Sequence, residues 1–386
     1  MINSIVQTVK TALSGPQDFV PLHEPHFGGN EWQYVKECLD TGWVSSVGKF
    51  VDKFEKDLSS YTGARYAIAA VNGTAALHIC YMLAGVTTGD EVLMPALTFV
   101  ATANALSYCG AIPHFIDAES QFLGIDIERL EYYLQDITEQ KNKLSINKLT
   151  GRPIRALCAM HTLGHPVDLD PLVELCQKYH LVLVEDAAEA LGSYYKGTHV
   201  GHRGLVGALS FNGNKIITTG GGGAILTNDE KIAKRAKHIT TTAKLPHAWL
   251  FEHDEVGYNY RLPNLNAALG CAQLEQLPHF LNAKHLLAKQ YRDHFLNHPA
   301  ARFIEEPPYA KSNYWLNALF VECATVDERD ALLMALNENN IMSRPIWNLL
   351  HTLPMYRNCP RMLLPVAENL QQKLIKIPSS VVLGCA

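Results

Sequence analysis

The chain has 386 residues, 47% of them hydrophobic, and 33 basic against 38 acidic side chains leave a formal charge of -5. This length exceeds one compact core and suits two domains, while the even spread of charge, with no basic block, argues against nucleic acid and for a small-molecule substrate. Nine scattered cysteines with no C-x-x-C pair, a start without a basic stretch and apolar core, and no apolar run near the roughly 18 residues of a membrane span predict a soluble cytoplasmic protein.

From residue 64 to 227, short apolar runs alternate with amphipathic stretches, the pattern of a mostly parallel sheet with helices on both faces. In chain order the expected elements are strand Tyr66–Val71, helix Thr74–Leu83, strand Glu91–Pro95, helix Ala101–Cys109 and strand Ile112–Asp117. Helix Ile127–Leu134, strand Ile154–Met160 and helix Asp170–Tyr179 follow, then strands Leu181–Asp186, Ala208–Phe211 and Gly223–Thr227. A long helical pattern over Asn264–Asn297, interrupted at Pro278, can link two domains. Trp315–Glu322, Asp327–Glu338 and the Pro-containing stretch from Ile341 to Pro354 read as a smaller unit. The expected division is a large α/β domain over residues 1–250 and a small C-terminal α+β domain over 251–386 that includes the long helix.

Four places along this pattern carry chemistry. Asn72-Gly73-Thr74 stands where a strand turns into a helix, and backbone N–H groups with a hydroxyl there suit a phosphate. Thr74 serves equally as a plain helix cap. Phe99 follows the second strand and can stack on a flat ring or fill core. Asp186 ends an apolar strand, at the carboxyl edge where open parallel sheets bind ligands, though it can also cap the helix expected over Ala187–Leu191. Lys215 follows the strand ending at Phe211 and precedes four glycines, Gly220 to Gly223, which implies a close backbone approach. Ser210 adds a hydroxyl nearby. An amine in a glycine-rich turn, with an anion at a strand end, is what a pyridoxal phosphate (PLP) enzyme requires for a Schiff base and for a protonated pyridine nitrogen.

Five ordered motifs resemble the DegT/DnrJ/StrS group of sugar aminotransferases: Gly73-Thr74-Ala75-Ala76-Leu77, Pro95 to Phe99, Glu185 to Ala190, Ser210 to Lys215, and Gly257-Tyr258-Asn259-Tyr260-Arg261. The resemblance implies the fold of the aspartate aminotransferase type (PLP fold type I), with a mostly parallel seven-stranded sheet. It also implies PLP as cofactor, with Lys215 as the Schiff-base lysine and proton carrier, Asp186 on the pyridine nitrogen and Phe99 on the ring. Gly73, Thr74 and Ser210 would hold the phosphate, joined by Asn259 from the second subunit of a homodimer with shared sites. Glu189 matches a position near the cofactor's phenolic oxygen where glutamine is common, so its role departs from the group at large. Lys215 stands where a dehydrating branch has histidine, which implies transamination from L-glutamate to a nucleotide-linked keto sugar.

Leu22 to Trp32, Thr41 to Gly48 and Phe211 to Lys215 resemble the branch that makes legionaminic acid and bacillosamine precursors, for bacterial surface glycans. This implies the C4 ketone of a UDP-linked 2-acetamido-2,6-dideoxy-4-keto-hexose as acceptor, with a 3-keto sugar, a GDP-linked 4-keto-hexose or a keto-octulosonate as alternatives. Arg344, in Ser343-Arg344-Pro345-Ile346-Trp347, is a candidate for the nucleotide or for a structural ion pair. His161, in His161-Thr162-Leu163-Gly164-His165, is placed at a strand end near the cofactor and substrate. Metal is not expected there, because no acid completes a zinc pattern. A PLP-holding regulator and a dinucleotide oxidoreductase are rival classes. No DNA-binding extension supports the first, and Gly201 to Gly207 lacks the G-x-G start the second requires.

Overall fold

A computed structural model describes residues 1–13, 18–323 and 325–385. The main sheet is built from β1 (Tyr66–Ala70), β2 (Glu91–Pro95), β3 (Ile112–Ile116), β4 (Pro153–Met160), β5 (Val182–Asp186), β6 (Val206–Ser210) and β7 (Gly223–Thr227). Their spatial order is β1, β7, β6, β5, β4, β2, β3, with β7 antiparallel to both neighbours and the other pairs parallel. The seven strands match those expected, because strands buried on both faces read as continuous apolar runs. A hairpin, Thr138–Lys141 with Leu144–Asn147, adds to the edge of β4. It escaped the sequence pattern because its strands are short and polar.

The helices in chain order are α1 (Ile2–Ala12), α2 (Glu31–Thr41), α3 (Lys49–Thr62), α4 (Gly73–Leu83), α5 (Ala101–Tyr108), α6 (Ile127–Ile137), α7 (Leu169–Lys178) and α8 (Glu230–Thr240). They continue with α9 (Asn264–Phe295), α10 (Val326–Glu338) and α11 (Pro365–Lys373). Side chains start several of them: Asn72 accepts from Ala75 N, Asp126 from Arg129 N and Asp229 from Lys231 N. Each such cap contributes about 1 kcal/mol. α9 runs through Pro278 without stopping, so the interruption expected there does not occur. Its length is held by packing: Ala268, Cys271 and Leu277 enter the main core, while Leu287, Tyr291 and Phe295 enter a second one.

That second core is covered by the antiparallel sheet β8 (Ala301–Phe303), β9 (Asn317–Val321), β11 (Leu374–Ile377) and β10 (Arg344–Pro345), in this spatial order. It also takes in Ile5, Val6, Val9 and Ala12 from α1, and Val20, which bridges to Ile341. The unit expected to begin at residue 251 therefore draws on both ends of the chain. Among the described residues, the apolar stripe of α1 packs chiefly against the far end of α9 and against α10. Replacing the fully buried Ile5 by alanine leaves a cavity between these helices, and a loss of about 2–5 kcal/mol in urea unfolding is expected. A loss below about 0.5 kcal/mol, the level of a surface change, would contradict the docking of α1.

Candidate active site

Because β1, β2, β5 and β6 run in one direction, their carboxyl ends share one edge of the sheet, and the wall opposite comes from the small sheet. Between them lies a cleft of about 690 Å³ lined by Gly73, Thr74, Phe99, Asp186, Glu189, Ser210, Lys215 and Arg344 among others. Seven of these were expected for the cofactor and the eighth for substrate. The tertiary structure brings them to a single place.

At one end, Asn72 takes the capping bond of α4, so Thr74 is not the cap and lines the cleft instead. Gly73 is there for space: a Cβ on it would come within 2.8 Å of Ser210 Cβ. A Cβ on Gly223, the last of the glycine run, would lie 2.6 Å from the Asn72 carbonyl group. The glycines thus let β6, β7 and the start of α4 meet, leaving the first-turn N–H groups and the Ser210 hydroxyl at one spot.

At the floor, Asp186 is 2% exposed. Its Oδ2 accepts a 2.7 Å bond from Thr102 and its Oδ1 a 3.2 Å bond from Ala188 N. Burial pushes its pKa up, against these bonds and the pull of Lys215. No cation makes an ion pair with it among the described residues. Lys215 Nζ lies 3.4 Å from Glu189 Oε1 and 3.8 Å from the centre of the Trp315 ring. Trp315 in turn donates its indole N–H to Asn214 O at 2.6 Å. Glu189 Oε2 accepts from Leu163 N at 2.9 Å. Phe99 presents its ring to the cleft, 49% exposed.

These residues fit PLP on their own evidence. A pyridinium nitrogen is the cation that buried Asp186 lacks, a phosphate suits the α4 start with Ser210, and a flat ring suits the exposed face of Phe99. PLP, when bound, supplies an electron sink for negative charge on the carbon next to the reacting nitrogen. The chain's own residues would do the rest: Asp186 is placed to hold a proton on the ring nitrogen, and the Lys215 amine, beside Glu189 and the Trp315 face, is placed to carry a proton between carbons.

One expectation changes. His161 does not line the cleft: its Nε2 donates to Glu185 Oε2 at 3.1 Å and its Nδ1 accepts from Val167 N, both inside the core. It is thus a structural residue behind β5, and no substrate ligand. His165 lies edge-on to Tyr314, so the two histidines do not converge. Asn259 is exposed on a segment bridged to Thr241, and it does not line the cleft of its own chain. Sequence reasoning missed Thr102, Trp315, Trp347, Lys376 and His23, which line the same cleft. Burial, with the charges of Lys284 and Lys215, lowers the His23 pKa, opposed by the Asn214 backbone. His23 and Trp347 stood in segments singled out for other residues, whereas Thr102, Trp315 and Lys376 stand in no local motif.

Glu189 is buried, and burial followed by the nearby Asp186 charge raises its pKa, with Lys215 and the Leu163 amide opposing. A carboxyl with a raised folded pKa favours folding below its unfolded value, near 4.3, and that contribution is lost as pH climbs through the raised value. In cofactor-free protein, Glu189→Gln is therefore expected to gain stability relative to wild type as pH rises from 4 to 7, followed by urea midpoints. A gap that closes or reverses over this range would refute the raised pKa.

The family model of DegT/DnrJ/EryC1/StrS aminotransferases matches residues 25–385. GDP-perosamine synthase of Escherichia coli O157:H7 is 36% identical over 361 residues, covering 94% of this chain and 93% of that protein. The aminotransferase TlmJ from Streptoalloteichus hindustanus superposes with a TM-score of 0.84 at 26% identity, covering 94% and 93% of the two chains. Helicobacter pylori PseC, at 24% identity and a TM-score of 0.84 over 94% of each chain, shares the fold. With Lys215, Asp186 and the phosphate cradle in place, the chain belongs to the DegT/DnrJ/EryC1/StrS aminotransferase family, and it is a PLP-dependent sugar aminotransferase.

Proposed function

We propose that this enzyme transfers the amino group of L-glutamate to the C4 ketone of a GDP-linked 4-keto-hexose. The observation that carries the reaction type is the placement of Lys215 and Asp186 in one cleft with the phosphate cradle of Gly73, Thr74 and Ser210. The nucleotide rests on relatives: the proteins of Escherichia coli O157:H7 and Vibrio cholerae, each 36% identical, are GDP-perosamine synthases. They favour the GDP-linked alternative over the UDP-linked acetamido sugar expected from the segments around residues 22–48.

In the first half-reaction Lys215 Nζ would take a proton from the donor's α-carbon, and the amino group with its electron pair would stay on bound PLP while the donor leaves as a 2-oxo acid. In the second, the keto sugar would take that amino group and electron pair, lose its carbonyl oxygen as water and receive a proton at C4 from Lys215. Glu189, 3.4 Å away, stabilises the charged form of this amine. The burial of Asp186 and Glu189 at the floor strengthens these charge contacts. Asn259, exposed and outside its own cleft, is assigned to the phosphate of a second subunit, so the working form is a homodimer.

PLP-supplemented protein is expected to show a visible absorption band, and borohydride to fix the pyridoxyl group on Lys215, detected by peptide mass. Lys215→Ala removes both signals and turnover; a wild-type protein with neither signal would sink the assignment. Incubation with L-glutamate and a panel of GDP-4-keto, UDP-4-keto, 3-keto and octulosonate acceptors, followed by product mass, decides the acceptor. Amination of the UDP sugar alone would overturn the GDP reading. For the shared site, subunits carrying Lys215→Ala and subunits carrying Asn259→Ala, each inactive, are expected to regain activity when mixed. No recovery after subunit exchange would place Asn259 outside the partner's site.

A further inference from the structure

β10 and β11 pair antiparallel with Arg344 directly opposite Lys376. Like charges directly opposite each other across a sheet are destabilising, and such a pair calls for a compensating anion. Among the described residues neither side chain makes an ion pair with a carboxylate. Both line the cleft.

The two cations differ in depth. Arg344 is exposed, while Lys376 is 7% exposed with its Nζ 5.0 Å from the centre of the Trp347 ring. Trp347 also faces Phe99, with ring centres 6.4 Å apart, so the two cations and two aromatic rings form one wall. Burial pulls the Lys376 pKa down to about 8; Glu189 opposes this, while Arg344 and Lys215 add to it. Glu189, which acts on Lys376 from a distance, contacts Lys215. Among the described residues no carboxylate makes an ion pair with Lys376.

We propose that Arg344 and Lys376 form one subsite for a substrate anion, a carboxylate or phosphate oxygen group, on the small-sheet wall of the cleft. The assignment rests on the aminotransferase reading, in which two anionic substrates use one cleft in turn. A donor dicarboxylate and a nucleoside diphosphate each present oxygens that an Arg fork and a Lys point charge can hold together. The same pair explains why the cleft accepts two otherwise unlike molecules. It also removes the repulsion across β10 and β11 each time a substrate enters.

The test uses the PLP-loaded protein and two unreactive probes, glutarate for the donor's carboxylates and GDP for the diphosphate, with binding followed by calorimetry. Lys376→Gln and Arg344→Gln are each expected to weaken at least one probe by about 10-fold or more, the size of a lost charge-assisted contact. Loss confined to glutarate assigns the subsite to the donor, loss confined to GDP assigns it to the acceptor, and loss of both makes it shared. Binding of both probes within about twofold of wild type in both variants, or no binding of either probe to wild type, overturns the subsite. Arg344 is exposed, so its variant keeps the test valid if replacement of Lys376 disturbs folding. The Lys215 borohydride label is read on the same samples: a missing label with intact probe binding defeats the aminotransferase reading and leaves the anion subsite standing.

Discussion

The structure depends on burying a carboxylate, Asp186, at the carboxyl end of the central strand β5 without giving it a cation of its own. A charge taken out of water must be paired or hydrogen-bonded, and here Thr102 and the Ala188 amide do only part of the work. The deficit is useful. It leaves an acid at the cleft floor that suits a protonated ring nitrogen, and it constrains the surroundings: α5 brings Thr102 within reach, and the turn after β5 aims the Ala188 N–H back at the strand end. Lys215, Glu189 and Trp315 then settle around a floor that already holds negative charge.

The neighbouring acid shows the opposite solution. Glu185 precedes Asp186 on the strand, so its side chain points to the other face. Burial alone would raise its pKa, but His161 and the N–H groups of Gly204 and Gly201 outweigh that and hold it below the usual range. Its oxygens accept from Gly201, Arg203 and Gly204 at 2.7–2.8 Å and face His161 at 3.1 Å. The glycine spacing of residues 201–207, which resembles a weak dinucleotide signal, thus has a structural cause: it wraps a buried carboxylate. His161 is drawn into the same network and away from the cleft. One strand therefore carries a saturated acid behind the sheet and an under-saturated one in front.

Much of this was legible before any fold was known. The seven strands of the sheet read as apolar runs, and Gly73, Thr74, Phe99, Asp186, Glu189, Ser210 and Lys215 each stood in a short contiguous motif at a strand end. The unread parts share a different character. α1 is an amphipathic helix whose cover lies some 280 residues away, on α9; Trp315 reaches Asn214 across 101 residues. His161 sat in the right strand end and the wrong face, because a residue at the terminus of a strand can turn either way and its partner Glu185 decides.

The sequence by itself determined the chemistry and its order along the chain. A lysine in a glycine-rich turn, an acid at a strand end and a phosphate-suited helix start are local arrangements, governed by backbone sterics and nearest neighbours. Only the tertiary structure decided what the cleft wall is made of. Arg344 meets Lys376 through strand register, Trp315 covers Lys215 through the packing of the small sheet on the large one, and Asn259 is kept out of its own cleft by the path of its loop. Register and packing are set by the burial of distant apolar faces against one another, and no stretch of neighbouring residues records that choice.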